Sequence, residues 1–186
     1  MAGILAGIVN EVKDGIVAAI SGTNEITSEA TKLVRDTVVN TLRASEDIAG
    51  TTIQVATDVA QGAILGVSQT GASLVSAARD VGKEVVAGVS EVGGDAGVAA
   101  EHAVKSTVKA TSEVGGDVVG VAVNTVEGTI EAAGEIGGDV SRVTEKAVVA
   151  AVEAAEEVST ETAEAVKNAL VGAIKGAKDI LKAPLK

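Results

Sequence analysis

Residues 2–177 divide into eight consecutive 22-residue blocks without insertion or deletion, and each block divides into two halves of 11 residues. The clearest copies begin at Ser90, Ser112 and Gly134, and each opens with one residue, a glutamate, a branched aliphatic residue and the triplet GGD. A period of 11 residues places about 3.67 residues on each turn, which is close to the natural winding of an α-helix. The repeat therefore predicts helix with two chemically different faces.

The two faces separate by position within the 11-residue half. The second position is mostly acidic or otherwise polar, whereas the eighth position is mostly Val, Ile or Leu. Small and apolar residues at the third, fourth, seventh, eighth, tenth and eleventh positions share one side of the helix. That side covers about half of the circumference, more than the seam of a two-stranded coiled coil. Its width indicates packing against two or more neighbours, or against a lipid surface.

The composition favours an extended interface over a compact core. The chain has no aromatic residue and no cysteine, and it contains 22 glycines among 186 residues. Aromatic side chains normally dominate the area buried in a compact core, and glycine, valine and threonine are weak helix formers. We therefore expect the helix to form only when copies of the chain or lipid cover its apolar face.

These patterns predict an all-α fold: a long amphipathic helix of 11-residue repeats in a right-handed or nearly straight bundle or filament. The repeats occupy residues 2–177, and residues 178–186 form a short cationic tail in which Pro184 ends the helix. A continuous helix would be about 280 Å long. The alternative is a β-solenoid, because a coil rich in Val, Gly and Thr would also repeat without gaps. Helical spacing in residues 145–158 and 161–182 favours the helix.

The three GGD triplets admit two interpretations, as hinges between helices or as weak points within a continuous helix. Bulky and small residues also alternate around them with a period of 22, so that a neighbouring helix shifted by about 16 Å would set valine against glycine. This alternation predicts lateral association between copies of the chain. The predicted self-association face comprises Ile20, Leu42, Ile53, Ile64, Val86, Gly93, Val104, Val108, Gly115, Val119, Val126, Ile130, Gly137, Val148, Val152 and Ile174.

Charge is uneven along the chain. With 26 acids and 15 bases the formal net charge is −11, which opposes nonspecific binding to nucleic acid. Residues 84–164 hold 16 acids and four bases, whereas residues 167–186 hold five lysines and one acid. The tail is predicted to complete the helix dipole, to meet the acidic middle of a neighbouring chain or to contact anionic lipid. The lipid-contact residues would be Lys175, Lys178, Leu181, Lys182 and Leu185.

No residue pattern points to catalysis, a cofactor, a metal or a small-molecule substrate. His102 is the only histidine, it lies in the polar column, and we expect it to be solvated. The first 15 residues lack the basic region of a signal peptide, so a cleaved one is not expected. Residues 59–78 are uncharged and long enough to cross a bilayer, but six Ser, Thr and Gln side chains argue against a membrane span. The sequence indicates no particular compartment.

The segment NTVEGTIEAAGEI, residues 124–136, is similar to the repeat segments of synucleins. The Val, Thr, Gly and Ala face without aromatic residues resembles perilipin repeats, and the 11- and 22-residue periods resemble exchangeable apolipoproteins. These resemblances imply a helix that forms on phospholipid or lipid-droplet surfaces. The chain departs from synucleins in charge, because the lysines that flank the apolar face there are replaced here by acids.

Overall fold

The computed structural model describes residues 2–20 and 26–182, with side chains from Gly7 onward. Within those ranges the chain forms helices and no strand, so the prediction of an all-α fold is confirmed and the β-solenoid alternative is wrong. The helices are α1 Ala2–Ile20, α2 Ser28–Arg43, α3 Ile48–Thr70, α4 Leu74–Glu91, α5 Ala96–Glu113, α6 Val118–Glu135, α7 Val140–Val158, α8 Thr160–Ala173 and α9 Ala177–Lys182.

The helices form two layers. Each helix contacts the next one in the chain and also the one after that, so α1, α3, α5 and α7 pack side by side, and α2, α4, α6 and α8 form the second layer. One helix begins in each of the first seven 22-residue blocks, and both α8 and α9 begin in the eighth. An 18-residue helix is about 27 Å long. The result is a repeat array in which successive blocks alternate between layers.

Each GGD triplet ends one helix and begins the next. At the end of α4, Gly93 has φ +80°, and the amides of Gly93 and Gly94 donate to the carbonyls of Ser90 and Val89 at 3.0 and 2.9 Å. This pair of bonds is the Schellman motif, which needs a left-handed residue that glycine adopts without a steric penalty. Asp95 then caps α5 by accepting hydrogen bonds from two backbone amides of its first turn.

The same sequence of bonds recurs 22 and 44 residues later. Gly115 and Gly137 have φ +70° and +67°, and the amides of Gly116 and Gly138 both donate at 2.9 Å to a carbonyl five residues earlier. Asp117 and Asp139 cap α6 and α7. The triplets are therefore hinges between helices. The long continuous helix that the periodicity predicts is not formed, since the longest helix has 23 residues.

Glycines inside the helices bring neighbours in the same layer into close contact. A Cβ on Gly62 of α3 would lie 2.6 Å from the Val9 carbonyl oxygen of α1, and one on Gly82 of α4 would lie 2.7 Å from the Thr125 carbonyl oxygen of α6. A Cβ on Gly128 of α6 would overlap the carbonyl oxygen of Arg79. Because the backbones touch at these points, any larger residue would push the helices apart.

The interior consists of small aliphatic residues and hydrogen-bonded threonines. Val and Ala from every helix between α2 and α8 are buried in one continuous core. Thr107 and Thr125 are fully buried, their Oγ1 atoms lie 3.1 Å apart, and each hydroxyl also reaches a carbonyl of its own helix. The buried hydroxyls are thereby satisfied and link α5 to α6.

None of the helices in the described ranges combines the length and the hydropathy needed to cross a membrane.

Candidate functional site

Most of the predicted self-association face lies inside the molecule, where the chain's own helices cover it. Ile53 is exposed, at 45%; Gly93, Gly115 and Gly137 are exposed as well, and Val119 and Ile130 are half-buried. The members that are buried are Ile20, Leu42, Ile64, Val86, Val104, Val108, Val126, Val148, Val152 and Ile174. The apolar face is therefore covered within one chain, and a second copy cannot reach these side chains while the array is closed.

Gly93, Gly115 and Gly137, which were predicted to face the valines of a neighbouring copy, are not covered by another helix of the chain. They lie at helix ends with positive φ, and a Cβ on any of them would meet nothing within 4 Å. The glycines whose Cβ would meet the backbone of a neighbouring helix are Gly62, Gly66, Gly82, Gly88 and Gly128. The four-residue spacing of Gly62 and Gly66, which is typical of close helix packing, was the one sequence signal that could have identified two of them.

In the tail, Lys175, Lys178 and Lys182 are exposed while Leu181 is half-buried. Helix α9 contacts both α7 and α8, and Leu181 packs against the core. Leu185, the remaining predicted lipid contact, lies outside the described residues. The tail thus presents its lysines outward and uses its apolar side within the chain.

Charged residues join helices two apart in the chain. In the layer of even-numbered helices, Arg79 of α4 lies 3.1 Å from Glu127 and 2.9 Å from Glu131 of α6, and Lys83 lies 2.8 Å from both Glu131 and Glu135. In the other layer, the pairs between α5 and α7 are Asp95–Arg142, Glu101–Lys146 and Lys105–Glu153. The ion pairs therefore specify which helix lies beside which.

These contacts change the pKa values of the carboxylates that take part in them. Hydrogen bonds from Lys83 and Arg79 lower the pKa of Glu131. Burial alone would raise the pKa of Asp95, but hydrogen bonds from Arg142 and from the Val98 and Gly97 amides, together with the charge of Arg142, lower it. In contrast, burial raises the pKa of Glu84, and the nearby Arg35 only partly offsets this. The layer contacts thus favour the ionised form of Glu131 and Asp95.

Replacing Glu131 by glutamine is expected to lower the free energy of unfolding at pH 7 by about 1 kcal/mol, since its ion pairs are partly exposed. Because the folded-state pKa is lowered, the contribution of Glu131 is complete above the ordinary glutamate value of about 4.3 and is lost as the pH falls through the folded-state value. Urea titrations at pH 7 and pH 3 measure the difference. Glu164→Gln, at an exposed position, is the control; an effect that is equal at both pH values would contradict the assignment.

Open grooves lie between the helices. One groove of about 850 Å³ runs between α6, α7 and the α8–α9 turn. Its lining residues include Ile130, Val140, Ile174 and Ile180, together with three glutamates. A smaller groove of about 360 Å³ contains His102 with Lys105 and Lys109. Burial lowers the pKa of His102, so this side chain is less solvated than its polar column predicts. Lys105 in that groove is already paired with Glu101 and Glu153.

Within the described part of the chain no group of three His, Cys, Asp or Glu side chains is arranged to hold a metal ion. Neither a protein-family model nor a curated protein sequence matches this chain. The feature that recurs is the contact between helices two apart in the chain. Glycines allow the two backbones to approach closely, and oppositely charged side chains pair across the contact. Those contacts are the feature on which a proposal of function can rest.

Proposed function

We propose that this chain is a non-enzymatic structural protein, a helical repeat array that associates with copies of itself. The observation that supports the proposal is the contact between helices that are not consecutive in the chain. In both layers, that contact is made by close backbone approach or by ion pairs, and it joins residues about two blocks apart in the chain. The array is held together by contacts of glycines, buried threonines and many charged side chains, as expected of a scaffold.

Most of the predicted self-association face is covered in the closed array, so assembly of folded chains would mainly use other surfaces. The outward side chains of the layers include many acids, such as Glu145, Glu157 and Glu161. A surface with a net charge of −11 repels its own copies at low ionic strength. We therefore expect association to strengthen when salt is added, because screening shortens the range of this repulsion.

Sedimentation velocity over a wide range of protein concentrations, at low and at physiological salt, tests the proposal. We expect discrete species larger than the monomer at physiological salt, and electron microscopy would show their shape. A protein that sediments as a monomer at every concentration and salt condition would contradict self-association.

A peripheral coat on lipid is the second candidate, and the exposed lysines of the tail favour it. Lys175, Lys178 and Lys182 point outward beside half-buried Ile180 and Leu181, a combination that suits anionic headgroups over an apolar surface. Opening at the glycine hinges would also free the apolar faces of the longer helices for lipid.

Vesicle flotation separates the two candidates. A lipid coat predicts flotation with anionic vesicles, loss of flotation in the triple variant Lys175→Gln, Lys178→Gln and Lys182→Gln, and little flotation with neutral vesicles. A structural array predicts that the protein stays unbound with both vesicle types. Binding that is unaffected by removal of the three charges would argue against a role for the tail.

A further inference from the structure

The turn between α7 and α8 lacks the glycines of the three turns before it. Gly93, Gly115 and Gly137 begin the GGD triplets at 22-residue intervals, and the next interval places Ser159 at the head of the triplet Ser-Thr-Glu. Ser159 is the single residue between α7 and α8, and its φ of −169° and ψ of 156° are an extended conformation that any residue adopts. No residue of this turn has the positive φ that ends the helices at the GGD turns.

Rotation of the backbone at this one residue would join α7 to α8. The Ser159 amide donates to the Ala155 carbonyl, and the Ser159 carbonyl accepts from the Ala163 amide, both at 3.0 Å. These two bonds span four residues, as in an α-helix. The last carbonyls of α7, at 156–158, and the first amides of α8, at 160–162, have no partners within their own helices and are also four residues apart. Three further bonds between them would therefore complete a continuous helix.

The sequence is compatible with such a helix. No glycine lies between Gly138 and Gly172, and the 11-residue pattern passes through Ser159 in phase. The buried residues Ala163, Val166 and Leu170 of α8 occupy the eighth, eleventh and fourth positions, which belong to the apolar side of the repeat. A continuous helix over 140–173 would be about 51 Å long and would have a single apolar side.

Helix α8 is held in the array by apolar contacts. Val166 and Leu170 are fully buried, but within the described ranges no ion pair joins α8 to another helix. Gly172 follows Gly128 by 44 residues in the same column, yet a Cβ on Gly172 would meet nothing within 4 Å. The two kinds of contact that join α4 to α6, close approach at glycine and ion pairing, are thus not made by α8.

We propose that two copies of the chain exchange α8. In each copy α7 and α8 form one continuous helix, and α8 packs on α6 and α7 of the other copy about a two-fold axis. The proposal rests on the proposed self-association and names the segment through which it occurs. In the single chain α8 itself covers this surface of α6 and α7. The identical helix of a second copy therefore fits the surface with the same apolar contacts.

Charge at the junction determines the conditions under which exchange is favoured. Glu157 and Glu161 are both exposed, and they would lie one turn apart in a continuous helix, where like charges repel. Screening by salt weakens this repulsion. Exchange should therefore increase between low and physiological salt, as expected for the association as a whole.

Variants at the junction test the exchange by sedimentation equilibrium. Ser159→Gly, Thr160→Gly and Glu161→Asp together recreate a GGD turn in register; two glycines then disfavour the continuous helix in each copy, and we expect the dimer to dissociate at least about tenfold more readily. Ser159→Ala removes the N-cap of α8 and suits a continuous helix, so it should tighten association at least about tenfold. Ser73→Ala, which removes the N-cap of α4, is the matched control and should leave association unchanged.

A distance within one chain distinguishes exchange from other modes of association. Ser141 and Ala173 line the same groove in the single chain, whereas a continuous helix would separate them by about 48 Å. Because the chain has no cysteine, Ser141→Cys and Ala173→Cys provide two unique sites for spin labels. With the labelled protein diluted into excess unlabelled protein, pulsed electron paramagnetic resonance should show a short distance in the monomer and a second one near 48 Å after association.

The outcomes separate the exchange from the function. A wild-type protein that is monomeric throughout would overturn both the self-association and the exchange. A wild type that associates with only the short distance, and whose GGD variant associates equally well, would overturn the exchange and leave the structural function standing. Should the GGD variant fail to fold, the distance between the labels decides alone.

Discussion

Replacing Gly128 by leucine is expected to destabilise the array by about 3 kcal/mol or more, which exceeds the usual cost of overpacking. A Cβ at this position would already overlap the carbonyl oxygen of Arg79, and backbone cannot move aside as a flexible side chain can. The contact of α4 with α6 would have to open, and the ion pairs of Arg79 and Lys83 with α6 would separate with it. Urea unfolding followed by far-ultraviolet circular dichroism measures the loss.

Gly134→Ala is the matched control for this experiment. Gly134 lies on the same helix, but a Cβ there would meet nothing within 4 Å. Alanine should therefore stabilise the protein by about 0.5–1 kcal/mol through helix propensity alone. Effects of the same sign at Gly128 and Gly134 would contradict the packing of α6 against α4.

Replacing Gly93, Gly115 and Gly137 together by alanine is expected to cost about 3–6 kcal/mol. A left-handed conformation costs a residue with a Cβ about 1–2 kcal/mol, and the three turns are far enough apart for their effects to add approximately. In a continuous helix the same substitutions would instead stabilise by about 1 kcal/mol each. The sign of the change in the free energy of unfolding thus distinguishes the hinged array from a long helix.

Two controls accompany the triple variant. Alanine at Gly7, Gly134 and Gly172, which are helical glycines with open space around them, should stabilise the protein by propensity. Asparagine at Gly115 should cost less than alanine there, because asparagine tolerates the left-handed region. A triple variant that is more stable than the wild type would rule out the three turns.

The α-helical secondary structure, the period of the repeat and the apolar face of the helices were predictable from the sequence, because each depends on local residue spacing. Asp95, Asp117 and Asp139 lie where an N-cap belongs, directly before an apolar-periodic segment. What the pattern could not decide was whether GGD bends the chain. An 18-residue helix followed by four turn residues has the same 22-residue length as two 11-residue halves of continuous helix, so the periodicity passes through the turn without a change of phase.

Whether the chain covers its own apolar face depends on whether the GGD triplets bend the chain. For a straight helix, Ile64 and Val108 could be covered only by another molecule, whereas the hinges bring other parts of the same chain onto them. Pairs such as Arg79–Glu131, 52 positions apart, could not be chosen from 26 acids and 15 bases without knowing which helices are neighbours.

Successive helices alternate between two layers. The number of blocks that the chain gains or loses therefore decides in which layer each later helix lies. Gain or loss of a single block between α4 and α6 would carry every later helix to the opposite side of the array relative to α4, and Arg79 and Lys83 would no longer face the glutamates of α6. Gain or loss of two blocks would keep each remaining helix on its own side. An internal change of length by 44 residues therefore keeps every later helix in its own layer, whereas a change by 22 residues does not.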